Sequence, residues 1–184
     1  MKFLLGNMIL LLAITGCATR YKEIPTVSVP DIKPAPVKIT REPFGFKSSL
    51  PYIAEVAKVS NCIINNDDFI KEVEVYPKFT HTALAPAQVA ERLKALAPVV
   101  VTTYQTKNPW SNVIATTYSS DRVNLYFNTR KNPRDMKHMV NTSFHEALHL
   151  NGFSHGDNSP VGKGESVNYR VGLMAEKYVK ECQK

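Results

Sequence analysis

One short segment of the chain carries residues whose types and spacing suit metal chemistry. Residues 145–155 read His-Glu-Ala-Leu-His-Leu-Asn-Gly-Phe-Ser-His and hold three of the chain's five histidines. His145 and His149 are one helical turn apart, so both imidazoles can reach one ion from the same face of a helix. Gly152 allows the left-handed backbone with which the chain can fold back and bring in His155 as a third ligand. Three neutral imidazoles suit zinc and leave a fourth position for a water molecule, which Glu146 can reach.

A single long helix is expected to position the first two histidines. Asn132 and Pro133 predict its start, as N-cap and first helical residue, with Asp135 in the first turn. The helix should run to about Asn151 and stop at Gly152. Helical periodicity gives it one apolar stripe and one polar face. The stripe consists of Met136, Val140, Phe144 and Ala147, and the polar face carries His138, Thr142, His145 and His149.

The rest of the pattern predicts one α+β domain. Helices are expected over residues 49–65 and 86–96, and strands over residues 69–76, 99–105, 113–118 and 122–129. A short turn makes the last two strands a hairpin, with Val123, Leu125 and Phe127 on one face. The length of 184 residues, with 43% hydrophobic and 21% charged residues, fits one globular domain. It excludes a collagen, a wholly disordered chain and a polytopic membrane protein.

The segment matches the pattern HExxHxxGxxH and therefore resembles the metzincin metallopeptidases. The resemblance implies a metzincin-like zincin fold, with a small mixed sheet packed on the active-site helix and a C-terminal helix. It also implies that His145, His149 and His155 bind Zn²⁺ and that Glu146 is the general base and acid for the hydrolysis of peptide bonds. An extended peptide or protein substrate would pair with an exposed sheet edge, for which residues 113–118 are the candidate.

Metzincins also place a methionine in a tight turn beneath the zinc, and Met174 is the candidate for this Met-turn. A second interpretation stays open, because Met174 also belongs to a stripe at helical spacing that would make it a core residue of a C-terminal helix. The stripe consists of Val167, Val171, Met174, Tyr178 and Cys182. Some metzincins have a tyrosine two residues after this methionine, where this chain has Glu176. Tyr169 or Tyr178 is then left as a candidate for stabilising the transition state.

Two alternatives to the metzincin interpretation stay open. Gluzincins take a downstream glutamate as third ligand, for which Glu165 is available, and aspzincins take an aspartate, for which Asp157 is available. The other alternative is a non-catalytic envelope lipoprotein that uses zinc structurally. Structural zinc sites usually have four protein ligands, and the segment offers only three histidines.

The N-terminus predicts a lipoprotein of the bacterial cell envelope. Residues 1–16 have the pattern of a signal peptide, and Ile14-Thr15-Gly16-Cys17 resembles a lipobox. We expect cleavage before Cys17 and acylation of Cys17, which anchors the mature chain in a membrane, with Ala18 favouring the outer membrane. Residues 17–47 contain five prolines and predict a semi-rigid spacer. Residues 48–184 are then the metallopeptidase-like domain.

Cysteine and charge content add expectations about compartment and partners. Cys62 and Cys182 remain after lipidation and are expected to form a disulfide in an oxidising compartment. The formal net charge of +7 is spread along the chain, so nucleic-acid binding is not expected. We expect a monomer whose partners are its peptide or protein substrate and, through the lipid anchor, the membrane.

Overall fold

A computed structural model describes residues 40–118, 120–155 and 163–184. The predicted signal peptide, Cys17, most of the spacer and Asp157 lie outside these residues. The described residues form, in chain order, β1 (Phe44–Phe46), α1 (Pro51–Ile64), α2 (Asp67–Glu74), α3 (Pro86–Lys94), β2 (Val99–Tyr104), β3 (Ala115–Tyr118), β4 (Asp121–Asn128), α4 (Met136–Leu150) and α5 (Val167–Cys182). A short 3₁₀ turn, Lys163–Glu165, precedes α5. Within these ranges, no helix has both the length and the apolar character needed to cross a membrane.

The strands of this part of the chain form one small mixed sheet in the order β1-β2-β4-β3. β1 and β4 both run parallel to β2, while β3 runs antiparallel to β4 and occupies an edge. The predicted hairpin and the α+β class are therefore confirmed. On the predicted face of β4, Leu125 and Phe127 are fully buried, but Val123 is 48% exposed because it lies beyond the core.

Residues 69–76, predicted as a strand, are largely part of helix α2. Asn66 caps the helix, since its side chain accepts hydrogen bonds from the backbone N–H groups of Asp68 and Phe69. Phe69 and Val73 lie one helical turn apart, and both are fully buried. Val75, the other half of the apparent alternation, is 62% exposed. The strand prediction is wrong because the cap and the buried helical face outweigh a short alternation of valine and glutamate.

Helix α4 begins at Met136, and its N-cap is Asp135 rather than Asn132. The Asp135 carboxylate accepts a hydrogen bond of 3.0 Å from a first-turn N–H group. Asn132 is buried, and its side-chain amide donates to the backbone carbonyls of Ile114 (3.0 Å) and Asn128 (2.9 Å). The predicted start is wrong because this amide joins the loop to the β3–β4 hairpin instead of capping the helix.

Strand β1 lies within residues 17–47, which the sequence assigns to the spacer. Phe44 is only 2% exposed. The side-chain amide of Asn61 pairs with both backbone groups of Phe44 (2.9 and 2.8 Å), and that of Asn65 pairs in the same way with Arg41 (2.9 and 2.6 Å). A domain boundary at residue 48 is therefore too late, because Asn61 of α1, the C-cap residue Asn65 and the buried Phe44 make this segment part of the domain.

Helix α5 packs closely against α4. Gly172 lies at the crossing, where an added Cβ atom would stand 2.9 Å from the backbone oxygen of Asn141 in α4. The C-terminal end of α5 is joined to α1 by the expected disulfide between Cys62 and Cys182, whose Cα atoms are 5.7 Å apart. These contacts fix the position of α5, whose first turn faces the histidines of α4.

Candidate metal centre

The buried face of α4 determines where its histidines point. The predicted apolar stripe packs into the core, and the Phe144 ring at its centre packs against the rings of Phe44 (5.2 Å between centroids) and Phe69 (5.4 Å). His145 and His149 project from the other side of the helix and are half-buried. The division of α4 into an apolar and a polar face is thus confirmed.

Helix α4 ends in a Schellman turn centred on Gly152. The backbone of Gly152 has a φ of +88°, in the left-handed region that favours glycine. The N–H of Gly152 donates to the carbonyl of His149 (3.1 Å), and the N–H of Phe153 donates to that of Leu148 (3.0 Å). The buried side chain of Phe153 holds the turn against the core. The chain therefore reverses, and His155 comes back towards the helix.

The three predicted ligands lie together after this turn. The Nε2 atoms of His145 and His149 are 3.2 Å apart, and those of His149 and His155 are 3.1 Å apart. All three candidate ligand atoms lie within 4.8 Å of one another. A tetrahedral zinc ion with nitrogen ligands at about 2.0–2.1 Å requires nitrogens separated by about 3.3 Å, so this spacing fits a metal ion. Among the described residues, this is the one cluster of histidine, cysteine and acidic side chains with such geometry.

A hydrogen bond fixes the orientation of the middle imidazole. Nδ1 of His149 lies 3.0 Å from the backbone oxygen of Phe153. Because a carbonyl oxygen can only accept, Nδ1 carries a proton, and in the neutral ring the lone pair of Nε2 then points to the other two histidines. Metal-binding histidines typically make this kind of bond through the second ring nitrogen. The Gly152 turn therefore places His155 and also selects the neutral tautomer of His149 that has its proton on Nδ1.

Glu146 lies beside His145 and faces the edge strand. Its Oε2 atom accepts a hydrogen bond from the hydroxyl of Thr117 in β3, at 3.3 Å. Burial raises the pKa of Glu146 to about 7, while the hydrogen bond from Thr117 acts in the opposite direction. The carboxyl group is thus held in a water-poor position between the helix and the sheet edge.

Two residues in the first turn of α5 complete the surroundings. The Tyr169 ring lies 4.5 Å from that of His145 and 5.1 Å from that of His155, measured between centroids. Asn168 is fully buried, and its Nδ2 donates to the backbone carbonyl of His145 at 3.2 Å. From the sequence, Tyr169 was one of two tyrosines expected to stabilise the transition state, and Asn168 was not identified as a site residue. A polar residue directly after Val167, in a stripe of core residues, is the signal that could have found it.

Met174, the Met-turn candidate, lies in the middle of α5 and is buried. The Met-turn prediction is wrong, because the stripe from Val167 to Cys182 forms one unbroken helix and leaves no tight turn at residue 174. Tyr178, on the same helix, packs against Phe69 and donates a hydrogen bond to Glu72, so it takes no part in the histidine cluster. Of the two tyrosines, the structure therefore brings only Tyr169 to the cluster.

Glu165, one of the two alternative carboxylate ligands, is not part of the histidine cluster. Glu165 accepts hydrogen bonds from the Tyr76 hydroxyl and from the Arg170 guanidinium, whose carbon lies 5.3 Å from the centre of the Tyr76 ring. Glu165 thereby ties the start of α5 to the segment after α2. Asp157 lies outside the described residues.

Comparison with protein-family models, curated proteins and solved structures found no match to this chain. The chemistry of the site therefore follows from its own residues. Three converging imidazole nitrogens can hold one metal ion, and three ligands leave room for a water molecule or a substrate oxygen on a tetrahedral ion. A carboxyl group beside one ligand adds a proton acceptor.

Proposed function

We propose that the protein is a zinc-dependent endopeptidase with a metzincin-like fold. The observation that supports it best is the convergence of the Nε2 atoms of His145, His149 and His155 at zinc-ligand spacing. Three imidazoles with an adjacent carboxyl group suit a catalytic centre better than a structural one, which usually has four protein ligands. Glu146 then has a chemical task that a structural site would not give it.

The histidines, Glu146 and Thr117 would each have a separate role in the hydrolysis of the peptide bond. When bound, zinc lowers the pKa of a coordinated water to roughly 7 and polarises the carbonyl of the scissile bond. His145, His149 and His155 would hold the ion. Glu146 takes a proton from the attacking water and returns it to the departing amine, as a general base and then a general acid. The hydroxyl of Thr117 orients the Glu146 carboxylate for both transfers.

Strand β3 offers the substrate a place beside Glu146. The N–H of Asn128 donates at 2.9 Å to the carbonyl of Ile114, the residue before β3, so these two residues occupy the position of a hydrogen-bonded pair at the end of the β3–β4 ladder. Because such pairs alternate along an antiparallel ladder, the backbone N–H of Thr117 points away from β4, towards the edge of the sheet. An extended peptide that adds to this edge would lie against the residue whose side chain contacts Glu146.

The Glu146→Gln variant tests the catalytic assignment. We expect it to keep the zinc content of the wild-type protein and to lose hydrolysis of a peptide library by at least about 100-fold, the lower end of what general acid–base catalysis supplies. Glu91→Gln is the matched control, because Glu91 lies exposed on α3 and pairs with Lys94. Wild-type turnover by the Glu146→Gln variant would refute the assigned base.

The choice of third ligand is tested by metal analysis of three further variants. His155→Ala should lower the affinity for zinc, whereas Glu165→Ala and the exposed control His81→Asn should bind zinc as the wild type does. A loss of zinc in Glu165→Ala alone would favour the gluzincin assignment. A wild-type protein that binds zinc but cleaves no peptide of the library would instead be a non-catalytic, zinc-binding protein.

We propose further that the chain is a lipoprotein of the bacterial envelope, on the strength of residues 14–17. Acylation of Cys17 would supply a stable membrane anchor, since two or more acyl chains on one residue bind a bilayer far more strongly than one. Labelled palmitate should enter the wild-type protein and not the Cys17→Ser variant. Separation of inner and outer membranes then tests the expected outer-membrane location, and labelling of Cys17→Ser would contradict the assignment.

A further inference from the structure

Tyr169 contacts two candidate ligands that come from different parts of the chain. His145 belongs to helix α4, whereas His155 follows the Gly152 turn. The Tyr169 ring packs edge-on against His145, with an angle of 71° between the ring planes, and is tilted by 51° against His155. The Tyr169 side chain of α5 therefore contacts both His145 in the helix and His155 in the segment that follows it.

The backbone around Tyr169 is held on both sides. Before it, the carbonyl of Glu165 accepts a hydrogen bond of 3.0 Å from the N–H of Thr80, and Asn168 is fully buried. After it, Arg170 forms an ion pair with the side chain of Glu165. The contacts of Thr80 and Arg170 with Glu165 thus anchor the start of α5 without the histidines, so Tyr169 can serve as a fixed surface against which the ligands are placed.

We propose that Tyr169 is a positioning residue that holds His155 next to His145 in the arrangement that binds the metal ion. This inference rests on the metal site of the proposed function. We assign this task to the packing of the flat ring against the two imidazoles. Residues that orient metal ligands from outside the coordination sphere typically change metal affinity by about 10- to 100-fold when they are replaced.

The test is a competition titration of zinc against a chromophoric chelator, performed on the full-length protein. Tyr169→Phe keeps the ring and should bind zinc as the wild type does, while Tyr169→Leu should bind about 10- to 100-fold more weakly. Tyr178→Leu is the matched control, because Tyr178 lies on the same helix but contacts Phe69 and Glu72. It should leave zinc affinity unchanged even where it lowers stability.

A double-mutant cycle separates positioning from a general loss of structure. In the His155→Ala background, Tyr169→Leu should cost much less zinc affinity than in the wild type, because its main partner is gone. Equal losses in both backgrounds, wild-type affinity of Tyr169→Leu, or an equal loss in Tyr169→Phe would each overturn the inference. If the wild-type protein binds no zinc, the proposed function itself fails, and this result is distinct from all the others.

Discussion

Replacing Gly172 by alanine should force α4 and α5 apart. The added Cβ atom would stand 2.9 Å from the backbone oxygen of Asn141, closer than ordinary van der Waals contact, and would also collide with the Asn141 side chain. The side chain can move, but the backbone oxygen is fixed within α4. Overpacking of this kind costs about 2–3 kcal/mol at its upper range, and the better helix propensity of alanine offsets about 1 kcal/mol. The net loss of unfolding free energy is then about 1–2 kcal/mol.

Thermal unfolding of the Gly172→Ala variant measures this loss. For a domain of this size, a loss of about 1–2 kcal/mol in unfolding free energy corresponds to a fall in Tm of about 2 to 8 °C. The control is Gly164→Ala, since Gly164 is exposed and an added Cβ atom would meet nothing within 4 Å. Zinc affinity should fall with stability in Gly172→Ala only, because a displaced α5 carries Asn168 and Tyr169 away from His145. The reasoning is refuted if Gly172→Ala melts at or above the wild-type temperature, or if both variants lose equal stability.

Three further predictions concern the disulfide, an ion pair and the orientation of the base. Removing the disulfide with the double variant Cys62→Ala/Cys182→Ala should cost about 2–5 kcal/mol in urea unfolding, since the bond closes a separation of 120 residues; a loss below about 1 kcal/mol would contradict this. Hydrogen bonds from Tyr76 and Arg170 lower the pKa of Glu165 from its ordinary value of 4.5. The stability that Glu165 contributes is therefore present above pH 4.5 and lost as the pH falls below it, so urea unfolding should show a deficit for Glu165→Gln at pH 7 that shrinks towards pH 3. Thr117→Val should lower kcat by about 2- to 12-fold with unchanged zinc content, as expected for one hydrogen bond, and Thr117→Ser should restore it; equal kcat for both variants would count against an orienting role.

The part of the site that could be predicted from the sequence is the part built by local rules. The polar and apolar faces of α4 follow from helical periodicity, and the position of Gly152 predicts both the end of the helix and the reversal of the chain. Because only a few residues separate His155 from the end of α4, the reversal at Gly152 is enough to bring His155 back to the helix. The pairing of Cys62 with Cys182 could also be predicted, because these two cysteines remain after Cys17 is assigned to lipidation.

The features that the sequence did not predict depend on partners that are distant in the chain. Asn132 is a residue type that often caps helices, but its side-chain amide donates to the carbonyl of Ile114, 18 residues earlier in the chain, and no local pattern shows this. Met174 occupies a position that suits either a turn or a helical stripe, and the packing of α5 decides between them. Tyr169 could be assigned to the histidines only once the angle at which α5 crosses α4 was known.

The three imidazoles are held by protein contacts of three different kinds. His145 is fixed by its place in α4 and by the bond from Asn168 to its carbonyl, His149 by its Nδ1 bond to Phe153, and His155 by the Gly152 turn and the Tyr169 ring. Contacts that orient the ligands before a metal arrives reduce the side-chain entropy that binding must remove, so they raise affinity without adding a ligand. The first turn of α5 supplies two of these contacts, through Asn168 and Tyr169. The packing of α5 against α4 therefore orients the histidines in addition to filling the core. Helix α5 then belongs to the candidate metal centre as much as to the core, even though it adds no histidine to the cluster.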